Sequence, residues 1–72
     1  DYKVLIMKEI EDKILEVIKE LESWQNREKK VKIRLEKDEA DISELDRIKE
    51  QISHYESLLH DMKKAMSLRM QV

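Results

Sequence analysis

The segment Lys37-Asp38-Glu39-Ala40-Asp41 decides the fold, because it separates two apolar stripes that do not share one phase. Before it, Ile10, Ile14, Val17, Leu21, Trp24, Val31 and Leu35 recur at alternating spacings of four and three, with Glu28 interrupting the run. Such spacing keeps side chains on one side of a helix, since each turn takes about 3.6 residues. After it, Leu45, Ile48, Ile52, Tyr55, Leu59, Met62 and Met66 repeat the pattern. Carrying the first stripe forward from Leu35 selects Asp38, Ile42, Leu45, Lys49 and Ile52, which would bring two charges into the apolar seam. A reversal of the chain inside the segment removes that conflict. The segment is also the most polar and acidic part of the sequence, and Asp41 with Glu44 three residues later fits an N-cap and capping-box pair opening a second helix.

Working outward from the break, the expected fold is all-α, an antiparallel helical hairpin of coiled-coil type with helix A over about 3–36, the turn over about 37–41 and helix B over about 42–70. Facing residues in antiparallel helices have indices with a constant sum. A sum of 76 pairs Val31 with Leu45, Trp24 with Ile52, Leu21 with Tyr55, Val17 with Leu59, Ile14 with Met62, Ile10 with Met66, Ile6 with Met70 and Val4 with Val72. It centres the turn on Asp38 and leaves Glu28, opposite Ile48, as the one misfit among the central layers. Met7 continues the seam upstream, Val4, Leu5 and Ile6 make the first turn apolar nearly all round, and Leu15 and Ile18 widen the stripe. A stripe wider than two positions per heptad suits a bundle face better than an isolated pair of helices, so assembly into a four-helix bundle is expected.

Charge supports the same arrangement. Arg27, Lys29, Lys30, Lys32, Arg34 and Lys37 form a basic block, and Asp38, Glu39, Asp41, Glu44 and Asp46 an acidic one, so a hairpin lays the two side by side near its turn. Two other folds fit parts of the pattern. One continuous helix, roughly 108 Å long at 1.5 Å per residue, would form a parallel dimeric coiled coil with a stammer near Leu45. A small α+β fold would read Val31–Leu35 and Met66–Val72 as alternating strands.

Composition narrows the function classes. The 72 residues contain no Gly, Pro, Cys or Phe, and 44% of them are charged. Without Gly there is no phosphate-cradling loop, and without Cys there is no disulfide framework, thiolate nucleophile or Cys-based zinc site. The absence of Cys fits a reducing, intracellular (cytoplasmic or nuclear) setting. A formal net charge of −2 supplies no long-range field toward nucleic acid or an anionic membrane. The longest uncharged run, Val4–Met7, is far short of the roughly 20 residues of a membrane span. The chain starts at Asp1, and a segment of a longer protein is the expectation, with tag removal or processing as other routes to that start. Ordering about 70 residues costs on the order of 100 kcal/mol, which a core this small barely offsets. Association with another chain is the expected supplement.

No constellation for catalysis appears in the sequence. His54 and His60 are six apart and point to different sides of a helix, so they cannot jointly grip one metal. Glu50 and Glu56, each four residues upstream of a histidine, make ordinary surface pairs, with a zinc or pH-sensing contact as the sharper reading. The serines at 23, 43, 53, 57 and 67 lack a nucleophile-elbow context. Catalytic, cofactor and metal residues are therefore expected to be none. Glu28 reads as a register-fixing polar residue at a seam position. Met62, Met66 and Met70 at four-residue spacing read as core, or as an adaptable partner-binding stripe. Trp24 reads as a packed seam residue and interface anchor.

Composition and periodicity together resemble coiled coils and helical bundles as a class. The expected function is a non-catalytic oligomerisation or scaffold module that acts in protein–protein interaction, with itself, most simply as a dimer, or another helical protein as partner. The interface would be Ile10, Ile14, Val17, Leu21, Trp24, Val31, Leu45, Ile48, Ile52, Tyr55, Leu59, Met62 and Met66. The alternative is nucleic-acid binding through Arg27, Lys29, Lys30, Lys32 and Arg34, with Trp24 nearby for stacking.

Overall fold

The computed structural model describes residues 2–70, with side chains through Leu68. Two helices, α1 (Tyr2–Glu36) and α2 (Ile42–Met70), pack against each other as a helical hairpin, and no strand occurs among the described residues. Val31–Leu35 and 66–70 are helical, so the mixed α+β reading is set aside. The continuous helix is set aside as well, because the backbone reverses between Glu36 and Ile42.

The reversal has a local cause. The Lys37 N–H donates to the Arg34 carbonyl at 3.1 Å and the Asp38 N–H to the Leu35 carbonyl at 3.1 Å, three residues back in each case. Asp38 then adopts φ of 57°, in the left-handed region, and this redirects the Glu39 N–H onto the Arg34 carbonyl at 2.8 Å. The 6→1 and 5→2 pair of bonds around a left-handed residue is the Schellman C-cap, which satisfies carbonyls that a helix end leaves without partners. Glycine usually fills that left-handed position, because a Cβ there crowds the following carbonyl; aspartate tolerates it better than most residues. Asp38→Gly is accordingly expected to stabilise the hairpin by about 0.5 to 1 kcal/mol, part of the strain relief being lost to the freer unfolded chain. Asp38→Val should do the opposite. Urea midpoints followed by circular dichroism check both, and a midpoint lowered by glycine would contradict this account of the turn.

Helix α2 starts on the other side of the turn. The Asp41 carboxylate accepts from the Ser43 N–H at 3.3 Å, and the Asp41 carbonyl accepts from the Glu44 N–H at 3.0 Å, so Asp41 is the N-cap. The reciprocal half of the capping box is replaced. The Glu44 carboxylate reaches across the turn to Arg34, whose Nη1 lies 3.2 Å away, while Nη2 of the same guanidinium donates to the Glu39 carbonyl at 3.0 Å. Arg34 thus ties the end of α1 to the turn and to the first turn of α2.

The packed core sits next to this clasp. Val31 (4% exposed), Leu45 (8%) and Ile48 (6%) are the buried hydrophobic residues, and Trp24, Leu35, Ala40 and Ile52 pack around them. Toward the chain ends the seam continues as half-buried residues only. The molecule measures 55 × 15 × 12 Å, with a radius of gyration of 16.5 Å. A compact chain of this length would have a radius near 11 Å, about 2.2·N^0.38. The hairpin is therefore a thin rod with two sides open along its length.

Candidate protein-interaction face

The seam residues occupy that rod in a regular order. Ile10, Ile14, Val17, Leu21, Trp24, Ile52, Tyr55, Leu59, Met62 and Met66 are half-buried, and Val31, Leu45 and Ile48 are buried. Nearly all residues between them are exposed. Two helices alone do not enclose a seam, so side chains at these positions keep part of their surface open. The Ile6–Met70 and Val4–Val72 layers extend beyond the described side chains. Leu15 was expected to widen the stripe. It is 55% exposed instead, because at 100° per residue it sits about 140° from the centre of the seam, on the outer side of α1, whereas Ile18, about 80° from that centre, is half-buried.

Glu28 is half-buried at a seam position, its side chain 24% exposed and its carboxylate 3.8 Å from Lys32 Nζ one turn later. The aliphatic part of a glutamate can pack there while the carboxylate turns to the rim. Replacing it with an apolar residue removes a desolvation cost and also a restraint on register. Glu28→Ile is expected to raise the urea midpoint by the equivalent of roughly 1 kcal/mol. A lowered midpoint would mean that the Lys32 pair stabilises the hairpin more than burial at this position would.

The basic block does not form one patch. At 100° per residue, Arg27, Lys30 and Arg34 fall on one side of α1, and Lys29 and Lys32 on nearly the opposite side. Several of these charges are already engaged. The Arg27 guanidinium stacks on the Trp24 ring at 4.6 Å from its centroid, Lys32 pairs with Glu28, and Arg34 pairs with Glu44. A cation held over an indole face is attracted by the ring quadrupole and occupies the face on which a base would stack. The expected side-by-side blocks of opposite charge yield one interhelical ion pair among the described residues, Arg34–Glu44. Its side chains are 46% and 42% exposed, so it contributes at most about 1 kcal/mol and serves chiefly to fix the turn.

A shallow depression beside the turn is lined by Trp24, Arg27, Asp41, Glu44, Arg47 and Ile48, among others, with charges of both signs and no preference for a cation or an anion. Arg47 is itself drawn to the Ser43 carbonyl, its Nε at 3.4 Å. His54 lies edge-on to Tyr55, with ring centroids 5.3 Å apart. Among the described residues, no group of three or more His, Asp or Glu side chains converges on a common point. None of the described helices is long and apolar enough to cross a membrane.

Two contributions to this region were not read from the sequence. Ala40 packs against the core from within the turn, and its signal was that it is the one apolar residue in the polar segment. Arg34 acts as a clasp rather than as part of a basic surface, and only the position of the turn could have shown that. Comparison with protein-family models, with curated proteins and with solved structures finds no match to this chain.

Proposed function

We propose that this chain is a non-catalytic oligomerisation module in which two hairpins bring their apolar faces together as a four-helix bundle, and so hold together or dock the proteins that carry it. The observation behind this reading is area. The hairpin exposes 5989 Å². A compact monomer of 8.8 kDa would expose roughly 4,800 Å², from 6.3·M^0.73, so roughly 1,200 Å² more than expected is open. A standard protein interface takes about 800 Å² from each partner. With three buried hydrophobic residues among those described and no cysteine, the hairpin alone has little to set against the entropy of ordering, and burial of its half-open seam on a second copy supplies the difference.

Light scattering with small-angle scattering on one sample tests the proposal. The expected result is a mass of twice 8.8 kDa in a particle about as long as the 55 Å hairpin, little changed between 50 and 200 mM salt. A monomer at micromolar concentration would reject it. Binding of duplex or single-stranded nucleic acid that weakens steeply over the same salt range would favour phosphate contacts by the basic residues instead.

A further inference from the structure

The uncovered apolar surface is concentrated at one end of the rod. All three buried hydrophobic residues, the Schellman turn, the Arg34 clasp and the Arg27–Trp24 stack lie in the half next to the turn. In the other half, where the chain begins and ends, no described residue is buried. Six of the eight exposed large hydrophobic residues among the described ones are found there, Tyr2, Val4, Leu5, Leu15, Leu58 and Leu68; they are spread around both helices, and the continuous apolar face of this half is the half-buried seam of Ile10, Ile14, Val17, Leu59, Met62 and Met66.

Charge divides along the same line. In the turn half, residues 21–37 hold six basic and three acidic residues, net +3, and residues 38–55 hold two basic and six acidic, net −4. In the open half, residues 2–20 hold four basic and five acidic, net −1, and residues 56–70 hold three basic and two acidic, net +1. Each half of α1 therefore has the opposite sign to the part of α2 at the same level.

We infer that the second copy stacks on the hairpin with both turns at the same end, so that α1 lies against the partner's α2 and the two open halves cover each other. This rests on the oligomerisation reading above and adds the orientation and the surface. Three stackings are available to a two-fold dimer of such rods. If the copies overlap fully with turns at opposite ends, α1 lies on the partner's α1 and α2 on the partner's α2, so the facing charges are opposite in sign but unmatched in size, +3 on −1 and −4 on +1, and the apolar open half of each lies on the charged, self-paired turn half of the other, which strips water from Arg27, Arg34 and Glu44. If they overlap only through the open halves with turns pointing outward, the apolar surfaces meet, but each half-helix lies on its own copy and faces its own sign. With turns at one end, apolar surface meets apolar surface, and every half-helix meets the opposite sign: +3 on −4 near the turn and −1 on +1 near the ends. The alternating antiparallel order of neighbours is that of an up-down four-helix bundle.

The absence of cysteine makes a direct test simple, since one introduced thiol labels one site. Full-length Glu39→Cys and Ser67→Cys proteins, spin-labelled separately, give label-to-label distances across the dimer. Both residues are exposed. With neighbouring helix axes about 8 to 10 Å apart, both distances should fall below about 30 Å. Separations near the 55 Å rod length at both sites would establish opposed turns and overturn the inference. A short distance at residue 67 with one beyond 55 Å at residue 39 would establish the outward arrangement and overturn it equally. Leu58→Glu adds a second check, expected to halve the mass while helicity is kept, with Ile33→Glu in the turn half leaving the dimer intact. A dimer unaffected by Leu58→Glu would remove the open half from the interface. An unmodified chain that is monomeric at labelling concentration fails the oligomerisation proposal itself, an outcome distinct from a dimer with the wrong distances.

Discussion

Leu45→Asp is expected to leave the chain largely unfolded at 25 °C. Leu45 is 8% exposed and sits with Val31 and Ile48 at the centre of the only buried cluster among the described residues. Removing its side chain from the core forfeits roughly 1.5 to 3 kcal/mol of burial. A carboxylate in its place must either lose hydration without a cation to pair with, or push the helices apart to reach water, which adds several kcal/mol. Domains are typically stable by only 5 to 15 kcal/mol, and one this small lies at the lower end. Most helical stability in a protein comes from packing of an amphipathic face, so packing lost between α1 and α2 should appear as lost helicity. Circular dichroism at 222 nm measures it, with Ile33→Asp as the control. Ile33 is 54% exposed on the back of α1, and the same charge there should shift the urea midpoint by less than about 1 kcal/mol. If Leu45→Asp keeps the helicity and midpoint of the parent chain, the cluster beside the turn is not what holds the hairpin.

The position of that cluster follows from features the sequence displays openly. Alternating steps of three and four identify a helix face with little ambiguity: every seam residue from Ile10 to Leu35 and from Leu45 to Met66 is buried or half-buried, and in the two helices only Ile6, Met7, Ile18, Gln25 and Glu44 join them among the described residues. The change of phase between Leu35 and Leu45 indicates a break for the same reason, because a continuous helix would bring Asp38 and Lys49 inward. How the break is made was much less legible. A left-handed C-cap is normally announced by glycine, and here Asp38 takes that conformation with no distinctive residue to signal it. The charge blocks were legible as composition and not as contacts. Long flexible side chains settle on whatever lies nearest, so Arg27 found Trp24, Lys32 found Glu28, and Arg34 alone crossed to α2. Leu15 shows the matching limit on the apolar side. Periodicity says which way a residue points, but its burial depends on how many helices surround it, and a two-helix hairpin does not reach that far. Leu15 shares the outer side of α1 with Ile33, five full turns away, so it is the half-buried seam, with flanks left open by two helices, that bears on the proposed function.

Leu59→Asp carries that distinction into an experiment, and the expected outcome is loss of the dimer with only partial loss of the hairpin. Leu59 is half-buried in the open half of the rod. In a lone hairpin a carboxylate there can turn toward the open flank and remain hydrated, so the cost to the fold stays moderate, on the order of 1 to 2 kcal/mol. In a four-helix bundle that flank is closed by the second copy, and a two-fold axis places the substitution in the interface twice. Two uncompensated carboxylates in one apolar layer cost several kcal/mol, and each 1.4 kcal/mol weakens binding tenfold, so dimerisation should weaken by roughly a hundredfold or more. Leu21→Asp, at another half-buried seam position, is expected to act in the same direction. Sedimentation or light scattering should then report 8.8 kDa where the parent chain reports twice that, with most of the helical signal still present. Leu59→Met, which conserves apolar volume, should stay dimeric. If Leu59→Asp keeps the parent mass, the seam of the open half faces solvent in the assembly and the copies meet elsewhere. If it unfolds as completely as Leu45→Asp, the hairpin depends on its open half for stability even as a monomer, and the division between a self-sufficient turn half and a partner-dependent open half fails.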